Sequence, residues 1–537
     1  MPLRGPTRPV QRRPRVELAV AMLLSFAAIF ALHRKMQPAV LHAETAYYQI
    51  IAHTSPQHAR TLVRGFWKKS SHGHYTPLAF TAEFFFAKHV GLRPNWWRAR
   101  QLFLGGLLVF SLFGFVRAAS EQTHAPAFAN SLLAAAVSII FVAQPLMRNL
   151  LEWPFHGLQV AWMIFAAATG WSLVRLPDSA NKDAALWLVA LIAYGSMHVL
   201  GLGLAVVTGT LAVFLLILIG ALTGYFPEFK SHVRTLLAAL VALTILGCLH
   251  TTAMVVLNNA PAHTGPNAGR PPDWHEFIGL YILSPIAVFV GLFSAKLDLT
   301  LINSVLHSVW PIGAAAVLSI ALFVTALVKI SRQSSRRHAA LYLSLFSAVM
   351  LLTIVAMIFK REIQEPSATG LLGYLSAPRY LLPIAIPWLG LVLSGLMLLS
   401  SRRASFVSVI SCLFAIAAIA AHRSYQSHVI AKTAPLHGAS DIQMWRNLVQ
   451  IAREARAANL PIPNLPLESL CGFRFMDFKY LEPLLHDELR LPANEHDSFL
   501  DWAECRDRRL DEYLAKCPTL LPTAKLLDLK LPQSDIK

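Results

Sequence analysis

The stretch HAETAYYQIIAH, residues 42–53, holds one carboxylate, Glu44, among two tyrosines and two histidines, with no second acid beside it. Other polar groups recur near apolar runs. HGHY at 72–75 offers His72, His74 and Tyr75, EWPFH at 152–156 offers Glu152 and His156, and Lys360 and Arg379 flank two late apolar runs. A carboxylate accepts a proton from a hydroxyl. A guanidinium grips a phosphate through its planar fork, and an ammonium meets it as a point charge. Imidazole and phenol groups bond either partner. The histidines of HGH lack an established third ligand, so no metal site is expected, and the spacing of Cys471, Cys505 and Cys517 does not resemble a zinc site.

These groups must be positioned by a membrane scaffold. Apolar residues make up 55% of the 537 and charged residues 14%, with a mean hydropathy of +0.50. Apolar runs of about 17–22 residues recur, each long enough to cross the hydrocarbon layer. Eleven are read: 16–32, 101–118, 127–145, 157–174, 185–200, 202–222, 235–257, 309–330, 339–359, 379–399 and 404–421. The fold class expected is an all-α polytopic membrane protein.

The net charge of +18 does not point to nucleic acid, because the positive residues fall mostly in short loops between apolar runs. Arg117, Arg175, Lys182, Lys230, Arg234, KISRQSSRRH at 329–338 and SSRR at 400–403 occupy alternate connections. Basic connections stay cytoplasmic. The alternation puts the N-terminal tail, 1–15, inside. It puts 33–100, 146–156, 258–308 and 360–378 outside, with a small extracytoplasmic domain over 422–537. A further run, 277–295, would break the alternation if it spanned, so it is expected to lie on the outer face as a helix or re-entrant hairpin. Trp96 and Trp97 read as interfacial anchors, Cys248 and Cys412 as packing residues, and His198 as a satisfied core histidine. One disulfide among Cys471, Cys505 and Cys517 suits an extracytoplasmic tail.

Four stretches resemble the GT-C class of membrane glycosyltransferases, in its protein O-mannosyltransferase and aminoarabinose transferase branch and its TMTC-like bacterial relatives. AETAYY (43–48) is similar to the acidic motif opening the first external loop. HGHYTPLAFTAEFFFAKHVGLRPNWWRARQLFLGGLL (72–108) resembles the stretch leading into the second helix. IFVAQPLMRNLLEWP (140–154) resembles the segment between the third and fourth helices, and SAPRYLLPIAIPWLGL (376–391) the start of a late helix. There are departures. Glu44 is followed by Thr45 where the family shows a second acid. Gln144, Met147 and Asn149 stand where relatives show histidines and an acid, and the nearest acid is Glu152.

The resemblance implies a transmembrane domain over 16–421 with a long first external loop. It implies transfer of a sugar from a polyprenyl-phosphate donor to an extracytoplasmic acceptor, in a bacterial inner membrane. Glu44 would be the base. Arg379, His74, Tyr75 and Lys360 would hold the donor phosphate, and Glu152 and His156 would lie on the acceptor side. No cofactor is expected. The partners expected are the lipid bilayer, the polyprenyl-phosphate sugar and a glycan, lipid or protein acceptor. Two alternatives stand beside this: a non-catalytic scaffold or lipid-binding protein of the same fold, and a transporter or flippase. The scarcity of ionisable residues within the spans speaks against the second alternative.

Overall fold

The computed structural model describes residues 13–36, 38, 40, 45, 48, 56–68, 75–91, 93–257, 284, 285, 288, 335–364 and 378–425. The expected span at 309–330 and nearly all of the expected C-terminal domain lie outside them. The described α-helices are α1 (Arg13–His33), α2 (Pro56–Lys68), α3 (Pro77–Val90), α4 (Pro94–Glu121), α5 (Ala127–Ala143), α6 (Pro145–Glu152), α7 (Gly157–Arg175), α8 (Lys182–Met197), α9 (Gly203–Thr223), α10 (Val233–Val256), α11 (Ser335–Gln364), α12 (Pro378–Leu396) and α13 (Ser401–Tyr425). No strand occurs among the described residues.

Seven of these helices are long and apolar enough to cross a membrane: α4, α7, α9, α10, α11, α12 and α13. The count is eight if the bent pair α5 and α6 is one span. α1 contributes a shorter apolar helix, and α8 runs 16 residues. The chain is an integral membrane protein built of helices, and ten of the eleven expected spans fall on described helices.

Local chemistry sets the ends. Proline, pre-set to the helical φ and lacking an N–H to leave unpaired, opens α3, α4 and α6. Gly224, at φ +80°, closes α9 in the left-handed conformation that a Cβ disfavours. Asn181 caps α8 by accepting from the Ala184 amide at 3.0 Å.

With no water to drive them together, membrane helices associate by close packing of small residues. α4 and α7 do so. A Cβ at Gly170 would meet the Phe115 ring at 2.8 Å, and one at Gly114 would meet Trp171 at 2.5 Å. α5 packs between α1 and α13, α9 against α8, α10 and α11, and α12 against α4, α6, α7 and α11. α10 and α13 are the least buried of the spans, which puts them at the lipid-facing edge. Cys248 on α10 is accordingly exposed and so is not the packing residue expected, and Cys412 on α13 is half-exposed. Both sit on helix flanks turned to lipid.

The two ends of the bundle differ. One gathers polar pairs: Arg117 and Arg175 form ion pairs with Glu121, and the rings of His232 and His338 hydrogen-bond Asp183 and Glu228. The other end carries α2, α3, α6 and the described part of the first long loop. Ser284, inside the run expected to lie on the outer face, accepts from the Trp388 indole at 2.9 Å. Trp388 is ten residues, about 15 Å, into α12. Ser284 therefore sits beside the middle of α12, a depth that fits the re-entrant alternative; most of the 277–295 run lies outside the described residues.

Candidate active site at the loop end of the bundle

The fifth and sixth helices meet at a 63° bend. Pro145 causes it: Gln144 takes the extended backbone (ψ 134°) that a following proline enforces, and α6 restarts in a new direction. A break inside a membrane leaves carbonyls without amide partners. Two histidines supply them. The His33 Nε2–H, at the end of α1, donates to the Val142 carbonyl at 2.8 Å. The His422 Nδ1–H, on α13, donates to the Ala143 carbonyl at 2.9 Å. Both side chains are buried, and their rings meet edge to face at 5.0 Å. A carbonyl only accepts, so each bonding nitrogen carries its proton. The far end of α6 is held likewise, by Gln101 Nε2 donating to the carbonyls of Leu150 and Leu151 at 3.4 and 3.2 Å.

This clasp makes a testable claim. His33→Ala or His422→Ala leaves a buried carbonyl unpaired and is expected to cost about 1–3 kcal/mol each, read as a lower melting temperature in detergent. Gln at 33 places an amide N–H where Nε2 was, and Asn at 422 does so for Nδ1, so these variants should recover most of the loss. Equal losses for Ala and amide variants would show that the donor is not what matters.

α6 itself carries Arg148, whose Nε donates to Glu152 Oε1 at 2.6 Å one turn on. Trp153 and His156 follow, their rings 4.0 Å apart. The described part of the first long loop then folds back onto this segment. Thr45 Oγ1 accepts from the Phe155 amide at 3.2 Å. The Tyr48 ring stacks on Phe155 and tilts against Phe66 of α2 and Phe80 of α3, at 6.0–6.3 Å. Residues of two of the stretches quoted for the resemblance thus meet Phe155, the residue that follows the third.

Behind them, Arg100 on α4 forms a two-pronged ion pair with Glu83 on α3 and lies over the Phe86 and Trp97 rings. Burial pushes the Glu83 carboxyl above its ordinary range, and the Arg100 charge and its hydrogen bond pull the other way. Trp97 is fully buried, its indole N–H donating to the Gly91 carbonyl at 2.8 Å. It is a core residue, not the interfacial anchor expected. Its helical neighbour Trp96 points away and is exposed.

The proposed site residues fall as follows. Glu44 and His74, with His72, lie outside the described residues. Tyr75 is half-buried; its hydroxyl donates to the Trp67 carbonyl at 3.2 Å, and its ring meets His250 edge-on at 5.3 Å. His250 in turn contacts His198 at 5.0 Å, and Tyr194 packs on both. His198 thus belongs to an aromatic cluster at the loop end, with its Nδ1 lacking a hydrogen-bond partner among the described residues; it is not the satisfied core histidine expected. Glu152 is engaged by Arg148, and His156 is buried beside Trp153. Lys360 is exposed near the end of α11.

Arg379 opens α12, half-buried. Its guanidinium lies over the Tyr380 ring at 5.3 Å. Among the described residues no carboxylate pairs with it, and its buried Nε has no hydrogen-bond partner. No group of three or more His, Cys, Asp or Glu able to hold a metal occurs among the described residues.

Sequence reasoning missed His33, His422, Gln101 and Arg148. One signal was available: a proline one residue after an apolar run, with a histidine at the end of the first and the last described spans.

No family model matches the chain, and no curated protein matches it. Among solved structures it is similar to ArnT from Cupriavidus metallidurans bound to undecaprenyl phosphate. The identity is 15%, over 88% of this chain and 77% of that chain, with a TM-score of 0.38.

Proposed function

We propose that the chain is a membrane glycosyltransferase of GT-C type, moving a sugar from a polyprenyl-phosphate donor to an extracytoplasmic acceptor. The observation that carries the reading is the Arg379 guanidinium, which lies over the Tyr380 ring and pairs with no carboxylate among the described residues. It opens α12, which packs against the bent helix α6, and α6 leads into the segment where Thr45, Tyr48 and Phe155 meet. An anion at the membrane interface needs such a cation.

In this mechanism Glu44 takes the proton of the acceptor hydroxyl. The acceptor oxygen bonds to the anomeric carbon as the bond from that carbon to the phosphate oxygen breaks. The electron pair leaves with polyprenyl phosphate, and Arg379, aided by Lys360, His74 and Tyr75, holds the growing charge. His156 serves the acceptor side. Glu152 orders that side through its bond to Arg148. In the cell the loop end faces outward from the inner membrane with the N-terminus inside, so a reporter fused after residue 335 should read as cytoplasmic.

One observation favours the non-catalytic reading: Glu83 and Glu152, the acids among the described side chains at this end, are each held by an arginine. That leaves Glu44 as the base on which activity depends. The deciding experiment is transfer by the purified full chain in proteoliposomes, with undecaprenyl-phosphate-linked radiolabelled sugars and an envelope extract as acceptor. Transfer of label supports the enzyme. Binding of undecaprenyl phosphate without transfer of any sugar supports the scaffold, and failure of both overturns the two readings together.

A further inference from the structure

We propose that the exposed face of α2 is a binding surface for anionic phospholipid headgroups of the adjoining leaflet. Residues 56–68, PQHARTLVRGFWK, contain Arg60, Arg64 and Lys68 and no acid. At 100° per residue, Arg60, Arg64, Trp67 and Lys68 (i, i+4, i+7, i+8) share one face, and all four are exposed. Phe66, on the side away from the cations, packs on Tyr48 and Phe80, and Val63, at the edge of that side, joins the same small core shared with α3. The helix is therefore fixed to the protein by its apolar side and offers a row of cations with one indole.

Its depth selects lipid rather than water as the partner's setting. The Trp67 carbonyl is held by the Tyr75 hydroxyl, and the Tyr75 ring touches His250. His250 lies six residues, about 9 Å, short of the end of α10. The Trp67 end of α2 is thus tied to a point inside a membrane-crossing helix. That helix stands at the edge of the bundle, with Leu249, Val255 and Val256 exposed beside His250. An indole at this level belongs to the headgroup belt. Basic residues at the same level gain from anionic lipid and reach phosphates by snorkelling. Zwitterionic lipid offers no net negative charge to complement three cations within about 12 Å of helix.

The test uses the purified full chain in nanodiscs of phosphatidylcholine with or without phosphatidylglycerol. Lipids retained on gentle delipidation are counted by mass spectrometry, and melting temperatures are taken in each disc. Phosphatidylglycerol should be retained over phosphatidylcholine and should raise the melting temperature, with both effects shrinking at high salt. Each of Arg60→Gln, Arg64→Gln and Lys68→Gln should weaken the preference, by roughly fivefold per cation. Because these side chains are exposed, the variants should melt like the parent in pure phosphatidylcholine. Trp67→Ala should weaken retention without changing its salt dependence. Unchanged phosphatidylglycerol retention in the triple variant would overturn the proposal. So would capture of a soluble polyphosphate that phosphatidylglycerol does not displace, which would assign the face to an aqueous anion.

Discussion

Replacing Glu44 by Gln is expected to lower sugar transfer by about two to four orders of magnitude while undecaprenyl phosphate still binds. Gln keeps the shape and one acceptor oxygen but takes no proton at working pH. The acceptor hydroxyl must then attack without a base, and the loss falls on the chemical step. Arg379→Ala should behave in the opposite way. It removes the cation proposed to meet the donor phosphate, so binding of undecaprenyl phosphate itself is expected to weaken. Because the Arg379 guanidinium is engaged with no acid among the described residues, its loss orphans no described carboxylate, and the described part of the fold should tolerate it. Arg379→Lys keeps the charge and loses the fork, and should fall between the two. The pair of readouts is transfer in proteoliposomes and equilibrium binding of undecaprenyl phosphate. Full transfer by Glu44→Gln would remove Glu44 from the mechanism. Unaltered binding by Arg379→Ala would remove Arg379 from the donor site.

Arg100→Met should be among the most destabilising single changes at the loop end, by about 3–5 kcal/mol. Glu83 is almost fully buried, and Arg100 provides its two-pronged partner. Methionine fills the apolar part of the space, over Phe86 and Trp97, but leaves the carboxyl alone. Burial already pushes that carboxyl upward, with Arg100 opposing. With Arg100 gone the upward push stands unopposed. The sign of the pH dependence follows: a carboxyl whose folded value is raised holds its proton in the fold and loses it when unfolded. The variant should be at its most stable at acid pH and lose stability as pH rises from the unfolded carboxyl range through the folded value. Adding Glu83→Gln removes the buried charge and should recover much of the loss and flatten the pH dependence. Melting temperatures in detergent across pH would check both. A single variant that melts like the parent would mean that the pair is solvated and contributes little.

The resemblance could be read from the stretches that carry it, but the contacts among them could not. AETAYY (43–48), TPLAF (76–80) and EWPF (152–155) lie far apart in the chain, and their meeting depends on Thr45 bonding the Phe155 amide and on Tyr48 filling the space between α2, α3 and that segment. The same holds for acids. Glu152 reads in sequence as a free candidate on an external loop; the helical turn of α6 brings Arg148 onto it.

What the sequence determined by itself was the class of molecule and the positions of its membrane helices. A run of apolar residues long enough to cross the hydrocarbon has little choice but to form a helix there, because every backbone polar group must be satisfied within the segment. Ten of the eleven expected spans coincide with described helices for that reason alone. What only the tertiary structure decided was which face of each helix meets protein and which meets lipid. Hydropathy is blind to this, because both surroundings are apolar. Trp97 is buried while Trp96 is exposed, and Cys248 lies on a flank turned to lipid. The bend at Pro145 was decided there too. A broken membrane helix persists only if distant groups take up its freed carbonyls, and His33 and His422, hundreds of residues apart, do so because α1 and α13 both pack against α5.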